Sequence, residues 1–499
     1  MRRPGLNPPL LGIMALAVVL RTLVWWPRHN FFGVLEYDDG VYYVASKLLL
    51  AGRLPYSDFT IVHPPGLSLL LLPAAAVGDL LGDAAGMAAG RIEMQLFVLA
   101  NIALIYRLGR LLPLQSGSRV PLLAAGLYAL MPNAVSAGHT ILLEPLVTFA
   151  CLLGSWLLFR PPSPGRGRLF LAGFCFAAGT GLKLFAGAYV LAAVVTLLAA
   201  KRYRALGSVV LGGVAGTVLL LVPFFLADPR AAWHDVVVTQ LSRPTNPSVP
   251  HGLDRIASTV GFGYATVPLG LLLLVAIALG TVLAWRRTRS PQLLYWAVFA
   301  VPVLLAFSGS PTYFLHYGEF LGPAVALLAS QLAVLGGRMR WPQLALAAVV
   351  VVFGIGTGVA ATDVRGQPDL RALAAAHVPD HACVYYDAVS LALAAEVYQP
   401  SSPTCPSYVD GRGVALTQNT DWPNRTSFYP AGFVADTAWQ LATVAQMRAS
   451  QFLLLRHDPT DFPEWDTATR EYAVTHFAVV ARHRGGRQPF ELWQRVRPG

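Results

Sequence analysis

Apolar runs long enough to cross a bilayer recur through the first 361 residues, separated by short clusters of arginine. Nothing else in the chain constrains its fold as strongly. A membrane helix needs roughly 20 consecutive apolar residues, and its backbone N–H and C=O groups must be satisfied within the segment, because no water reaches them. About eleven crossings fit, near 9–26, 92–110, 120–138, 142–159, 169–183, 184–200, 206–226, 262–284, 291–307, 320–336 and 343–361. Charge is scarce to match: 13% of residues are charged, against about a quarter in soluble domains.

The net charge of +11 would suit a polyanion if it were gathered in one groove. Instead the basic residues fall between the apolar runs, at Arg2-Arg3, Arg107 to Arg119, Arg160 to Arg168, Lys201 to Arg204, Arg286 to Arg289 and Arg338 to Arg340. That is the positive-inside pattern of a multi-pass membrane protein, and it excludes nucleic acid as the partner. Met1-Arg-Arg followed by Leu10 to Trp26, with Ala15-Leu-Ala17, has the outline of a signal peptide. The apolar run continues past it to Trp25-Trp26, an aromatic belt, so it reads as an uncleaved first span with the N-terminus cytoplasmic.

One apolar stretch is left out of the crossings. If residues 64–81 crossed, every basic cluster from Arg107 onward would change sides. Treated as an interfacial or re-entrant helix, with Pro73 inside it, the stretch leaves all the clusters on one face. The outer face then receives residues 27–91, the turn Gly138-His-Thr140, the loop 227–261, the turn Ser308 to Glu319 and everything after about 362.

Two domains follow: a membrane module, 1–361, and an outer soluble domain, 362–499. In the latter, strand-length apolar runs (Cys383-Val-Tyr-Tyr, Phe452-Leu-Leu-Leu, Phe477-Ala-Val-Val) alternate with helical patterns such as Asp369 to Ala376, as in a small α/β or α+β domain. Cys383 and Cys405 can form a disulfide there, whereas Cys151 and Cys175 lie in apolar runs as small hydrophobes. Asn424-Arg-Thr426 matches a glycosylation acceptor, a tripeptide too common to carry weight.

Candidate chemistry concentrates in the first outer loop. Glu36-Tyr-Asp-Asp-Gly-Val-Tyr-Tyr43 sets Asp38 and Asp39 side by side just past the first span. One aspartate would be explained as a helix N-cap; a pair beside Glu36 and three tyrosines is better explained as a site. Gly52-Arg-Leu-Pro-Tyr-Ser-Asp-Phe59 and His63-Pro-Pro-Gly66 follow. Glu144 opens a span on the same face, where a carboxylate also suits the helix dipole. Lys183 interrupts an apolar stretch, either snorkelling or contacting phosphate. Further cationic or donor groups are Arg243, Arg255, and Tyr313 with His316, although tyrosine is enriched at interfaces regardless. Arg21, well inside the first span, either snorkels or pairs with an acid.

No Walker motif, zinc-spaced His/Cys cluster or Gly-x-Ser-x-Gly elbow occurs, so the chemistry uses neither a nucleotide nor a nucleophile elbow. A divalent cation on Asp38, Asp39 and Glu144 is allowed by residue type but not demanded by spacing; no cofactor is required.

The acidic pair, Pro-Tyr-x-Asp-Phe, His-Pro-Pro-Gly and the apolar helix, in that order, resemble the first outer loop of the glycosyltransferase C superfamily. The likeness is closest to protein O-mannosyltransferases and lipid A aminoarabinose transferases, and it covers roughly residues 10–340. In that superfamily an Asp-Glu or Asp-Asp pair follows the first span, and a Pro-Pro-containing juxtamembrane helix precedes the second. The resemblance implies an inverting transfer of a sugar from a polyprenyl-phosphate carrier to a lipid, glycan or protein hydroxyl at the outer face of the cell membrane. Asp38 matches the catalytic acidic position, with Asp39 in place of the commoner Glu; which of the two is the base stays open. Substrate or phosphate contacts are expected from His63, Glu144, Lys183, Arg243, Tyr313 and His316. His63 stands where the aminoarabinose transferases have a lysine. The Pro-Thr-Tyr segment ending at Tyr313 is similar to theirs. Two other readings compete. In a secondary transporter or flippase the carboxylates would bind a coupling ion, but the acids cluster at one face and no inverted repeat is visible. In a membrane-anchored scaffold, residues 362–499 would act alone.

Overall fold

The computed structural model describes residues 7–26, 29–114, 119–245, 251–335, 349–356, 367–419, 429–483 and 490–496. Arg2-Arg3, Arg338 to Arg340, most of the last expected crossing and Asn424-Arg-Thr426 lie outside the described residues. The chain is a helical membrane protein with a small sheet near its C-terminus. By packing it divides into two compact units, 1–23 with 94–222 and 249–363, and 24–93 with 223–248 and 364–499.

The first unit holds most of the apolar helices. Among the described residues six helices of the chain are long and apolar enough to cross a membrane: Pro8–Trp25, Asp83–Gly109, Tyr203–Leu220, Val267–Thr288, Pro291–Gly309 and Leu315–Val334. A seventh follows if Arg119–Leu130 and Pro132–Gly138, bent by 62°, are one span. The bend falls where Pro132 opens the second helix. The other expected crossings are shorter helices, Glu144–Phe159, Arg166–Thr180 and Leu184–Ala199, and the described part of the last, 349–356, is helical. Small residues let some of them approach closely. A Cβ at Gly173 would lie 1.9 Å from the Val209 carbonyl oxygen, and one at Gly212 would lie 1.8 Å from that of Phe170. Backbones pack at that distance only through glycine, the usual device where no hydrophobic force separates helix from lipid.

The second unit unites three segments far apart in sequence. Residues 64–81 form two short helices, Gly66–Leu70 and Leu72–Leu81, neither long enough to cross, in keeping with an interfacial helix. Tyr37–Leu50 carries the acidic pair. Below that turn it packs Ala45 into an apolar cluster with Tyr56, Ile61, Phe224, Ala232 and Val236. The expected strands appear as β1 (Val384–Tyr386), β2 (Phe452–Leu455) and β3 (Phe477–His483). A further strand, β4 (Phe490–Arg495), has no counterpart in the sequence reading; it inserts antiparallel between β2 and β3, giving the order β1-β2-β4-β3. Trp465, Phe462, Trp439, Phe433 and Met447 fill the core on this sheet. The helical pattern at 369–376 is realised as Leu370–Ala375, capped by Asp369. Cys383 and Cys405 are disulfide-bonded, with Cα atoms 5.5 Å apart, while Cys151 and Cys175 are free.

Candidate active site

The two aspartates of the opening motif occupy different environments. The N-cap of Tyr37–Leu50 is Glu36, not an aspartate; its side chain accepts from the Asp39 backbone N–H, and Asp39 accepts from the Glu36 N–H in return. This capping box satisfies amides that the first helical turn leaves open. Both aspartates sit in that turn, where the dipole favours anions. Asp39 is fully buried, and its Oδ2 lies 2.7 Å from Nη2 of Arg91, which is also fully buried. The same guanidinium donates to the carbonyls of Asn30 (3.3 Å), Gly33 (2.7 Å) and Phe31, so it ties the incoming loop to the helix. Asp38 is half-buried. Arg91 had no place among the expected site residues. Its signal was available, an isolated arginine at the edge of an apolar run, much as Arg21 was marked by lying within one.

His63 lies on the same unit. Its backbone carbonyl accepts from Tyr56 at 2.8 Å, the neighbouring Val62 carbonyl accepts from Gln240 at 2.6 Å, and its ring meets Tyr42 edge-on at 5.6 Å. Tyr42 follows Asp38 by four residues and therefore shares its face of the helix. His63 thus packs beside Tyr42, one helical turn along from Asp38. At the top of the helix, Tyr37 donates to Asp410 at 3.0 Å. Burial raises the Asp410 carboxyl above the ordinary carboxylate range; the Gly413 amide, Tyr37, Arg243 and Arg412 oppose it. Arg243 therefore lies close enough to act on Asp410, and no ion pair engages it among the described residues.

The first unit gathers the remaining candidates. Glu144 opens its helix and receives Lys183 Nζ at 2.6 Å and His316 Nε2 at 3.9 Å, with Glu144 and Lys183 both buried. The ammonium also lies over the Tyr317 ring at 3.9 Å, a cation–π contact. Lys183 is therefore bound to a carboxylate and does not snorkel. Tyr313 is buried, 6.1 Å from Tyr317, with the Arg255 guanidinium 5.8 Å from its ring. Arg21 does not snorkel; the buried Glu319 carboxyl lies near enough to act on its charge. It is enclosed and donates to the carbonyls of Ala17 and Ala129, each at 3.1 Å, in space left by Gly138. Glu319, also missed, is buried against the hydroxyls of Tyr128 and Thr148. Among the described residues no group of three or more His, Cys, Asp or Glu side chains is gathered to hold a metal ion.

Residues 59–311 match the family model for glycosyltransferase family 87, just over half of the chain. The chain belongs to glycosyltransferase family 87. This family 87 member also has the glycosyltransferase C fold. It is similar to ArnT from Cupriavidus metallidurans bound to undecaprenyl phosphate (15% identity, 97% of each chain, TM-score 0.59). It is similar, too, to the Archaeoglobus fulgidus oligosaccharyltransferase AglB in complex with an inhibitory peptide and a dolichol-phosphate (11% identity, 90% of this chain and 69% of that one, TM-score 0.55). No curated protein matches it by sequence. Of the family 87 member's candidate residues, His63, Glu144, Lys183 and Arg243 fall inside the matched segment, whereas Asp38, Asp39, Tyr313 and His316 fall outside it.

Proposed function

We propose that this glycosyltransferase moves a sugar from a polyprenyl-phosphate carrier to an acceptor hydroxyl at the outer face of the membrane, with Asp38 as general base. The observation that carries the reading is the division of labour in the acidic pair. Asp39 is enclosed and neutralised by Arg91, and Asp38, one residue away, keeps a half-buried carboxylate at the positive end of a capped helix. A base must reach its proton, which favours the accessible member.

The phosphate of such a donor is already a good leaving group, so the chemical demand is small. Asp38 takes the proton of the acceptor hydroxyl as its oxygen attacks the anomeric carbon. The bond from that carbon to the phosphate oxygen breaks on the opposite side, the configuration inverts, and polyprenyl phosphate departs with the electron pair. One carboxylate suffices, because no covalent sugar–enzyme intermediate forms. Cations near the phosphate oppose the developing charge. His63 and Arg243, in the unit that carries Asp38, are assigned to it; Lys183, oriented by Glu144, and Tyr313 and His316 are assigned to substrate contact within their own unit. No metal is assigned.

The undecaprenyl phosphate and dolichol-phosphate bound by the structural neighbours support a lipid carrier here. The packing of residues 24–93 and 223–248 with the C-terminal residues supports these segments sharing one face; that face is assigned to the outside, with the N-terminus cytoplasmic, from the arginine clusters. The test is transfer from radiolabelled undecaprenyl-phosphate hexoses and pentoses by the reconstituted enzyme, with native membranes as acceptor source. Asp38→Asn should abolish transfer; retained activity would remove the base from Asp38.

A further inference from the structure

The helix bearing Asp38 is held from the C-terminal part of its own unit, and the hold is tightest at the residue next to Asp38. Gln367 brackets the approach to the helix. Its Oε1 accepts from the Val34 amide at 2.8 Å, its Nε2 donates to the Val34 carbonyl, and its backbone amide donates to Asn30 Oδ1 at 3.0 Å. Gly40 lies against the backbone of Ser390: a Cβ there would stand 2.5 Å from the Ser390 N and Cα atoms, so the helix and the 390 segment meet at a distance only glycine allows. Glu396 accepts from the Asp83 and Ala84 amides at 2.8 and 3.0 Å, which caps the helix carrying Arg91.

Tyr37 is the centre of this hold. Its hydroxyl donates to Asp410 Oδ1 at 3.0 Å and accepts from the Arg412 amide at 3.1 Å. Its ring faces the Arg412 guanidinium, 4.5 Å from the ring centroid, with that of Arg456 at 5.9 Å. These partners are themselves fixed. Asp410 accepts from the Gly413 amide at 2.8 Å as the N-cap of Gly411–Gln418, Arg412 is paired with Glu464 at 2.5 Å, and Arg456 is paired with Asp387 at 2.8 Å. A tyrosine gripped at both hydroxyl and ring cannot rotate about the helix axis, and Asp38, next along the turn, rotates with it.

We propose that Tyr37 is a positioning residue for the transfer reaction: held by Asp410 and Arg412, it sets the rotation of the first helical turn and so the aim of the Asp38 carboxylate. The proposal rests on Asp38 being the base. It makes the C-terminal residues part of the reaction's geometry without assigning any of them to the substrate. A displacement of about 1 Å in a reacting group costs on the order of a hundredfold in rate, so the loss of one hydroxyl latch should be visible in turnover.

Tyr37→Phe tests it in the full chain in lipid nanodiscs, because it keeps the ring contacts and removes both hydroxyl bonds. With the undecaprenyl-phosphate sugar that the wild type turns over, kcat should fall about tenfold, donor KM should stay within about twofold, and the thermal midpoint should move by less than about 3 °C. A merely structural tyrosine would not give that split. Wild-type kcat, or a loss matched by a fallen midpoint or a raised KM, overturns the assignment. Asp38→Asn, measured alongside, reports on the base separately. If Asp38→Asn is inactive while Tyr37→Phe keeps wild-type turnover, the base stands and the latch falls. If Asp38→Asn is fully active, the base falls, and with it the aim assigned to Tyr37.

Discussion

Arg91 Nη2 meets Asp39 Oδ2 at 2.7 Å with neither side chain open to solvent, 52 residues apart in sequence. Removing one partner of such a pair leaves an uncompensated buried charge, at a cost of about 3–5 kcal/mol. Arg91→Met should therefore lower the thermal midpoint of the purified protein sharply, and Asp39→Asn should lower it less, since the Arg91 charge it strands still donates to the Asn30, Phe31 and Gly33 carbonyls. Asp38→Asn should change it by no more than about 1 kcal/mol, the scale of a helix-dipole contact, while abolishing transfer. Thermal unfolding followed together with the transfer assay separates the two aspartates; equal stability losses at positions 38 and 39 would count against the division of roles.

Lys183 and Glu144 form a second enclosed pair, at 2.6 Å. Lys183→Met alone strands the Glu144 charge and should destabilise by about 3–5 kcal/mol, whereas Lys183→Met with Glu144→Gln should recover most of that. With Lys183 as a substrate contact, activity should not recover in the double variant, because that cation is still missing. A double variant with wild-type turnover would confine the pair to structure.

Burial pushes the Asp235 carboxyl up to about 6, with His234 beside it acting in the opposite sense. A carboxyl whose folded value exceeds its unfolded value, near 3.9, binds protons more readily in the folded state. Its ionisation therefore opposes folding: stability should fall by up to about 3 kcal/mol as pH rises from about 4 to 6, then level off. Thermal midpoints of the wild type and of Asp235→Asn across pH 4–7 read this directly, and the variant should lose that component of the slope.

The proposed reaction needs a base and cations already present on the chain. Transfer measured after dialysis against EDTA should equal that before it. A loss restored by adding back magnesium or manganese would bring a metal into the site.

Much of this was legible in the chain itself. The repeated apolar runs and the side on which arginine clusters fall determined a multi-pass membrane protein, and that sidedness kept the stretch at 64–81 out of the crossings; the structure gives two helices there, Gly66–Leu70 and Leu72–Leu81. Asp38-Asp39 stood out because acids are scarce in such a composition, and His63-Pro-Pro-Gly66 because of the order in which it follows the acidic pair and Pro-Tyr-x-Asp-Phe. Strand β4 did not, because Glu491 interrupts the apolar residues of Phe490–Arg495 and Gln494-Arg495 end them, so no strand-length apolar run marks it, and it gains its place by pairing with β2 and β3.

What the sequence by itself determined, then, was where charge and apolarity lie along the chain: the membrane module, the sheet-bearing C-terminal region and the acidic loop. Tertiary structure alone decided which charges meet. Arg91 reaches Asp39 across 52 residues, Lys183 reaches Glu144 across 39, and Asp410 reaches Tyr37 across 373. Each pairing separates one carboxylate from its neighbours by enclosure and partner, and neither quantity is a property of a residue or its spacing. Two adjacent aspartates are chemically identical in sequence; they differ only once one of them is buried against an arginine.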